Sequence, residues 1–121
     1  IIPETVTSIG KETFQLATSI EKIEIKGNVE ELGDYAFFAC KGIKELRFND
    51  GLKRIGKSAI SNNDNLTDLY LPGTVEDVSG TTNFGSQSDI LRIHVPAGSD
   101  VESIVTDAVK DADCNIEVIA E

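Results

Sequence analysis

The sequence lacks tryptophan and methionine, and His94 is its single histidine. One imidazole excludes a metal site built from two or more histidines, and a catalytic histidine would need a nucleophile or carboxylate held beside it. There is no Gly-x-Ser-x-Gly elbow and no Cys-x-x-Cys pair, and we assign no phosphate-binding loop. We therefore expect no enzymatic activity, no metal ion and no cofactor.

Basic residues are scarce, because 11 lysines and arginines stand against 21 aspartates and glutamates, a formal net charge of −10. Nucleic acid requires a positively charged footprint and anionic membranes attract basic segments, so neither is an expected partner. No apolar run approaches the roughly 20 residues of a membrane span, so we expect no membrane insertion. We interpret the acidic charge as keeping the domain soluble and monomeric, with recognition through acidic groups as the alternative.

Only two cysteines are present, Cys40 and Cys114. Cys40 lies in a column of the repeat described below, and Cys114 precedes the final predicted strand. Three rungs of about 4.8 Å would separate them, which exceeds the roughly 7 Å between Cα atoms that a disulfide can span. We predict that both are thiols, with Cys40 buried as a small apolar side chain.

The sequence does contain a repeat of roughly 23 residues. Apolar residues coincide in three columns when the chain is laid over itself at that spacing: Val6, Val29, Leu52 and Val75; Ile9, Leu32, Ile55 and Val78; Phe14, Phe37 and Ile60. Glycine follows the second column in three copies, and Ser79 replaces it in the fourth. We predict one domain over 1–121, with repeats at about 3–25, 26–48, 49–71 and 72–95.

Within each copy, one stretch alternates between apolar and polar residues. This period of two predicts a strand with one buried face: Ile23–Ile25, Leu46–Phe48, Leu69–Leu71 and Ile93–Val95. A second short extended piece ends at the glycine column, and the segment after it predicts a turn or a short 3₁₀ helix. Because one copy cannot enclose a core, we expect the copies to stack with their alternating stretches in one parallel sheet.

A different pattern follows the last copy. Ser99 and Glu102 have the spacing of a helix-capping box, and an apolar stripe at helical spacing comes next. Ile116-Glu117-Val118 then alternates as a final strand. A solenoid end needs a unit with an apolar inner face and a charged outer face, so we predict a structural helix-and-strand cap over 96–121.

The beginning of the sequence shows no comparable unit. Ile2 aligns with Ile25, the last inward position of a strand. We therefore expect the chain to be part of a longer protein. We also expect the apolar residues of the first copy to be poorly covered, namely Val6, Ile9, Phe14, Ile20 and Ile23.

Residues 29–48 read Val-Glu-Glu-Leu-Gly-Asp-Tyr-Ala-Phe-Phe-Ala-Cys-Lys-Gly-Ile-Lys-Glu-Leu-Arg-Phe, and Pro3 and Pro72 precede Val6 and Val75 by three positions. This pattern resembles the BspA-like leucine-rich repeats, although the fourth copy departs from it at Ser79 and after. The resemblance implies a β-rich solenoid, a right-handed β/α array with a parallel sheet. It also implies a surface protein of host-associated bacteria or some protists, used for adhesion or partner binding. It assigns no function to single residues, because the motif positions are core positions.

The outward positions of the alternating stretches supply the candidate partner-binding face. They form two columns, in which each member would lie beside the next: Lys22, Glu45, Asp68 and Arg92; Glu24, Arg47, Tyr70 and His94. In one interpretation, the alternating charges hold the strands in register, at about 0.2–1 kcal/mol per pair. In the other, Arg47, Tyr70 and His94 form a patch for a partner, because tyrosine and arginine are frequent interface anchors.

The cluster Asn62-Asn63-Asp64-Asn65 is rich in oxygen ligands. It lacks the Asp-x-Asp-x-Asp-Gly spacing of a calcium-binding loop. Asparagine and aspartate also favour tight turns through local hydrogen bonds, and we interpret the cluster as a turn.

The resemblance to the BspA-like repeats implies a non-enzymatic binding or adhesion module of a cell-surface or secreted protein, whereas the residues themselves indicate only an array with outward polar columns. The partner of such a module would be a protein or a host or extracellular-matrix macromolecule. A purely structural spacer or stalk is the alternative, and an accessory domain of a carbohydrate-active enzyme is a third. Replacement of Arg47 and Tyr70 separates the first two, since only a binding face would lose affinity.

Overall fold

The structure, a computed structural model, describes residues 8–10, 20–25, 28–78, 91–109 and 116–121. Six short strands belong to the first three copies: β1 (Ser8–Ile9), β2 (Lys22–Glu24), β3 (Glu31–Leu32), β4 (Glu45–Arg47), β5 (Arg54–Ile55) and β6 (Asp68–Tyr70). The longer strand β7 (Leu91–Val95) follows, and then helix α1 (Asp100–Val109) and strand β8 (Ile116–Ala120).

The alternating stretches form one parallel sheet, in the order β2-β4-β6-β7-β8. Its register places Lys22 beside Glu45 and Leu46 beside Leu69. Ile23, Leu46, Leu69 and Ile93 are the inward members, and none is more than 5% exposed. The predicted parallel sheet and its register are therefore confirmed.

The second extended pieces form a smaller parallel sheet in the order β1-β3-β5, and a bridge from Arg54 to Asp77 continues it. In the second and third copies, the segments that follow the glycine column stack as turns. Backbone hydrogen bonds join the second copy to the third there, from Phe37 N to Ala59 O at 2.7 Å and from Ala39 N to Ser61 O at 3.0 Å. The second and third copies thus each contribute to three stacked sides around one core.

These segments are turns and not 3₁₀ helices, because two residues in each adopt left-handed backbone conformations. Tyr35 and Ser58, one repeat apart, have φ angles of 59° and 53°. Ala39 and Asn62, again one repeat apart, have φ angles of 55° and 58°. A 3₁₀ helix requires negative φ throughout, so the first of the two predicted alternatives is correct.

The glycine column has a steric cause. A Cβ atom at Gly56 would lie 2.7 Å from Leu32 O, from the carbonyl carbon of Gly33 and from Asp34 N. The backbone of the preceding copy therefore passes too close for any side chain. Ser79, which replaces glycine in the fourth copy, lies outside the described residues.

Asn63 is a fully buried polar residue in the column that contains Cys40. Its Oδ1 accepts a hydrogen bond from Cys40 N at 2.7 Å, and its Nδ2 donates to Ile60 O at 2.8 Å. The amide thus joins the turns of two successive copies. Asn65 Nδ2 donates to Lys41 O at 2.6 Å, and Asp64 forms an ion pair with Lys41 at 2.6 Å. The residues of this cluster therefore have local structural partners, as the turn interpretation requires.

The cap follows the predicted order of helix and strand. Val101, Val105 and Ala108 are buried on the inner face of α1, and β8 extends the sheet by pairing with β7 in parallel. One half of the predicted capping box is present, since Glu102 N donates to Ser99 Oγ at 3.4 Å. The Glu102 carboxylate accepts from Gly98 N at 3.0 Å, one residue before the expected position.

The first copy is better covered than we expected. Ile9 and Ile23 are each only 5% exposed, and both belong to the common core with Leu32 and Leu46. Their exposure was wrongly predicted, because both side chains pack in the core that they share with the second copy. Ile20 is half-buried. Val6, Phe14 and Cys114 lie outside the described residues.

Candidate functional site

The second outward column forms a stack of flat side chains. The Arg47 guanidinium lies 3.7 Å from the centre of the Tyr70 ring. On the opposite side, the rings of Tyr70 and His94 are 4.2 Å apart and inclined by 9°. Parallel strands are about 4.8 Å apart, so planar groups at matched positions can stack face to face. We call Arg47, Tyr70 and His94 the aromatic column.

This stack determines which surfaces of Tyr70 a ligand can reach. One face of the ring contacts Arg47 and the other contacts His94. A cation–π contact of this kind contributes about 0.5–1 kcal/mol at an exposed site. The two neighbours hold the ring in place and leave its edge and hydroxyl for a partner.

His94 is held by a carboxylate at each ring nitrogen. Nε2 lies 2.9 Å from Asp68 Oδ1, and Nδ1 lies 2.6 Å from Glu121 Oε1. The side chain is only 14% exposed. Burial alone would lower the pKa of His94, but the hydrogen bonds and negative charges of Asp68 and Glu121 raise the pKa above its ordinary value. The imidazolium, which can donate from both nitrogens, is the form that this site favours.

The pKa of Asp68 is shifted in the opposite direction, below its ordinary value. Burial alone would raise the pKa of its carboxyl group, but hydrogen bonds from His94 and Thr67 and the charges of His94 and Arg92 lower it below the ordinary value. The pair His94–Asp68 is therefore charged on both sides over a range of mildly acidic pH.

The first outward column contains ion pairs along and across the strands. Lys22 Nζ lies 3.0 Å from Glu45, which also lies 3.6 Å from Arg47. Asp68 and Arg92 are direct neighbours in register, as predicted. Their closest partners differ from that expectation, however, since Asp68 binds His94 and Arg92 lies 3.8 Å from Glu117.

Two residues of this face, Glu117 and Glu121, were not predicted from the sequence. Both belong to the cap segment, with Glu117 in β8 and Glu121 directly after it. The alternation of Ile116, Glu117 and Val118 was a usable signal. If β8 is counted as a fifth rung, Glu117 lies next to Arg92 and completes the first column.

A shallow groove of about 290 Å³ runs beside the aromatic column, at the carboxyl ends of β4, β6 and β7. Arg47, Tyr70 and His94 form part of its lining. The rest is apolar side chains and prolines with two carboxylates, namely Phe48, Leu71, Val95, Pro72, Pro96, Asp50 and Glu121. Of the eight candidate residues, these three alone line this groove, and Lys22, Glu24, Glu45, Asp68 and Arg92 lie elsewhere on the face.

The segment 51–58 fits the spacing of a phosphate-binding loop, Gly-x-x-x-x-Gly-Lys-Ser, which we had not assigned. That motif cradles phosphate only in a loop that leads into a helix. Here β5 occupies Arg54–Ile55, and stacked turns follow Gly56. Lys57 N donates to Asp34 Oδ1 of the preceding copy at 2.8 Å. The match arises from the repeat, because Gly56 is a member of the glycine column.

Other classes of site receive no support in the described part of the chain. No three histidine, cysteine, aspartate or glutamate side chains lie where they could share a metal ion there. No helix in the same ranges combines the length and the apolar character needed to cross a membrane.

A search of the solved structures finds the pneumococcal vaccine antigen PcpA, to which this chain is similar at a TM-score of 0.64 and 13% sequence identity. The match covers 99% of this chain and 29% of that protein, and at this identity the likeness concerns the fold. A search of the curated proteins found no match.

A family model for the BspA type Leucine rich repeat region (6 copies) matches residues 1–117. Its six copies exceed the four repeats and cap that we predicted. The five-stranded sheet contains one strand from each of the four predicted repeats and a fifth from the cap. The match covers nearly the whole sequence and agrees with the observed parallel solenoid. The chain therefore belongs to the family of BspA-type leucine-rich repeat proteins.

Proposed function

We propose that this chain is a non-enzymatic binding module of a cell-surface or secreted protein, and that the outer face of its five-stranded sheet contacts a macromolecular partner. The aromatic column carries this proposal. Arginine and tyrosine are enriched among the residues that dominate binding energy at interfaces. Here both lie in one stack on the rim of a groove.

The column is ordered before any partner arrives. Arg47 is held by Tyr70 and Glu45, and His94 by Tyr70, Asp68 and Glu121. Immobilising a side chain on binding costs about 0.5–1.5 kcal/mol, and side chains that are already held avoid much of that cost. A preorganised patch of this kind suits recognition better than a set of mobile surface charges.

The geometry favours a protein over a carbohydrate as the partner. Sugars commonly pack against the open face of an aromatic ring, and both faces of Tyr70 are covered. The family supports a location on the cell surface or outside the cell. The pneumococcal protein of similar fold is a vaccine antigen.

A structural spacer is the second candidate, and the ion pairs of the first column favour it. A binding screen separates the two. The chain is tested by biolayer interferometry against purified extracellular-matrix and serum proteins, with Arg47→Ala and Tyr70→Leu as test variants. Arg54→Ala is the matched control, since Arg54 is also an exposed strand arginine with an ion pair, 2.6 Å from Glu31, but lies in the three-stranded sheet.

The proposal predicts that at least one protein of the panel binds, and that Arg47→Ala and Tyr70→Leu weaken its binding while Arg54→Ala does not. A chain that binds nothing in the panel, or that binds equally well after all three replacements, would instead be a spacer or would use another face.

A further inference from the structure

We propose that the groove beside the aromatic column binds a lysine or arginine side chain from an extended basic segment of a partner protein. This inference rests on the proposed function, because it specifies the partner's chemistry at the same face. It follows from the lining of the groove, the charges on its rim and its position across three strand ends.

The lining matches the two halves of a long basic side chain. The exposed Pro96 and the half-buried Tyr70 offer apolar surface to a methylene chain, whereas Phe48, Leu71 and Val95 border the groove but are no more than 6% exposed. Asp50 and Glu121 are carboxylates in the same lining. Lysine and arginine bury their aliphatic stems against apolar surface and keep the charged head group near water or a carboxylate.

The charges in the groove favour a cation over an anion. Arg47 lies 3.6 Å from Glu45, and His94 lies 2.9 Å from Asp68. Both cationic groups that line the groove are therefore already compensated by carboxylates outside it. Asp50 is exposed and forms no ion pair with any residue that the structure describes. Glu121 binds His94 through Oε1, so its second oxygen can accept a further hydrogen bond.

The shape of the groove favours an extended segment over an isolated amine. It crosses the carboxyl ends of three neighbouring strands, which spans about 10 Å at about 4.8 Å per strand. That length accommodates about three residues of extended chain, at about 3.3 Å per residue. The net charge of −10 would also attract a basic segment at long range and accelerate its encounter with this face.

The test uses the ¹⁵N-labelled chain and nuclear magnetic resonance at neutral pH. Two synthetic peptides of equal length are titrated, a blocked glycine–serine peptide that carries lysines and an analogue with glutamates at the same positions. We expect the lysine peptide to shift the backbone amides near Asp50, Leu71, Val95 and Glu121, and the glutamate peptide to shift none. Lysine amide, titrated alone, is expected to bind more weakly than the peptide.

Two charge-matched double variants show whether the attraction is local. Asp50→Asn/Glu121→Gln removes both groove carboxylates, and Glu30→Gln/Glu76→Gln removes two exposed carboxylates next to the three-stranded sheet. The first should weaken lysine-peptide binding about tenfold and the second less than about twofold, since exposed ion pairs act over short range.

Three results would each refute the proposal that the groove binds a basic segment. These are the absence of shifts, shifts scattered over the whole acidic surface, and equal weakening of binding by the two double variants. If lysine amide bound as tightly as the peptide, the ligand of the groove would be a small soluble amine and not an extended segment. If any of these results occurs while Arg47→Ala still abolishes binding of a panel protein, the proposed function is retained and only the inference of a basic partner segment is wrong.

Discussion

The ring of Tyr70 lies nearly parallel to the ring of His94, with 4.2 Å between their centres and 9° between their planes. The two residues are 24 positions apart, whereas Arg47 and Tyr70 are 23 apart, yet both pairs are direct neighbours in the sheet. The fourth copy is therefore one residue longer than the spacing of 23 between Arg47 and Tyr70. The sheet keeps its register, and the column remains continuous.

The site of His94 should make stability depend on pH. Its folded pKa is raised, so its contribution is complete below its ordinary pKa of about 6.5 and is lost as pH rises through the folded value. The folded pKa of Asp68 is lowered, so its contribution is complete above about 3.9 and is lost as pH falls through the folded value. The pair should therefore stabilise most between about pH 4 and 6.5.

Urea unfolding of the wild type and of His94→Gln tests this expectation at about pH 5 and about pH 9. The variant should lose more unfolding free energy at the lower pH, because the charged hydrogen bonds exist only there. An equal loss at both pH values would mean that His94 contributes through packing alone.

Gly56→Ala should destabilise the protein by about 1–3 kcal/mol or more, because its Cβ would lie 2.7 Å from three backbone atoms of the preceding copy. Gly73→Ala is the control. A Cβ at Gly73 would meet only side-chain atoms, at 3.6 Å in Pro96 and 3.8 Å in Ser99, which are ordinary contacts. Thermal or urea unfolding should separate the two variants clearly. Similar values would mean that the two copies lie farther apart at Gly56 than the structure shows.

Phe37→Ala should cost about 3–5 kcal/mol, as expected for a large side chain removed from a core. Phe37 is fully buried and contacts Phe48 at a ring distance of 6.3 Å. Phe38→Ala is the matched control and should cost much less, since Phe38 is half-buried and packs edge-on against Tyr35. Equal effects in denaturant would show that Phe38 contributes as much to the core as Phe37.

Asn63→Ala should cost about 1–3 kcal/mol, because it removes the buried oxygen that accepts a hydrogen bond from Cys40 N at 2.7 Å. Asn65→Ala removes a hydrogen bond to Lys41 O at an exposed position, where water can replace it. Its cost should be a few tenths of a kcal/mol. If Asn65→Ala proved the more damaging change in urea unfolding, the buried amide would not be what joins these turns.

Most of the fold could be predicted because the same pattern of apolar residues recurs in successive copies. One column of aliphatic residues is ambiguous, but its recurrence with a glycine and an alternating stretch determines which residues face inward and which strands are neighbours. Leu46 and Leu69 show this, since both are fully buried and paired as expected. The same register predicts that Arg47, Tyr70 and His94 lie side by side, as they do.

Two of the missed features lie in the cap, where the repeat gives no second copy for comparison. Glu117 and Glu121 belong to the cap, so no column indicated that they would reach Arg92 and His94. The left-handed conformations at Tyr35 and Ser58 were also missed, since these two side chains share no chemistry that signals a positive φ. Burial of Ile9 and Ile23 was missed because the end of the array was expected to be open, whereas both belong to the core that includes Leu32 and Leu46.

The central claim, that the outer face of the five-stranded sheet contacts a partner, is tested most directly by hydrogen exchange of the chain with and without a bound panel protein. Binding should slow exchange in 45–50, 68–72 and 92–95, and leave 30–32 and 53–56 in the three-stranded sheet unchanged. Protection confined to 30–32 and 53–56 would contradict the claim and assign binding to the other sheet.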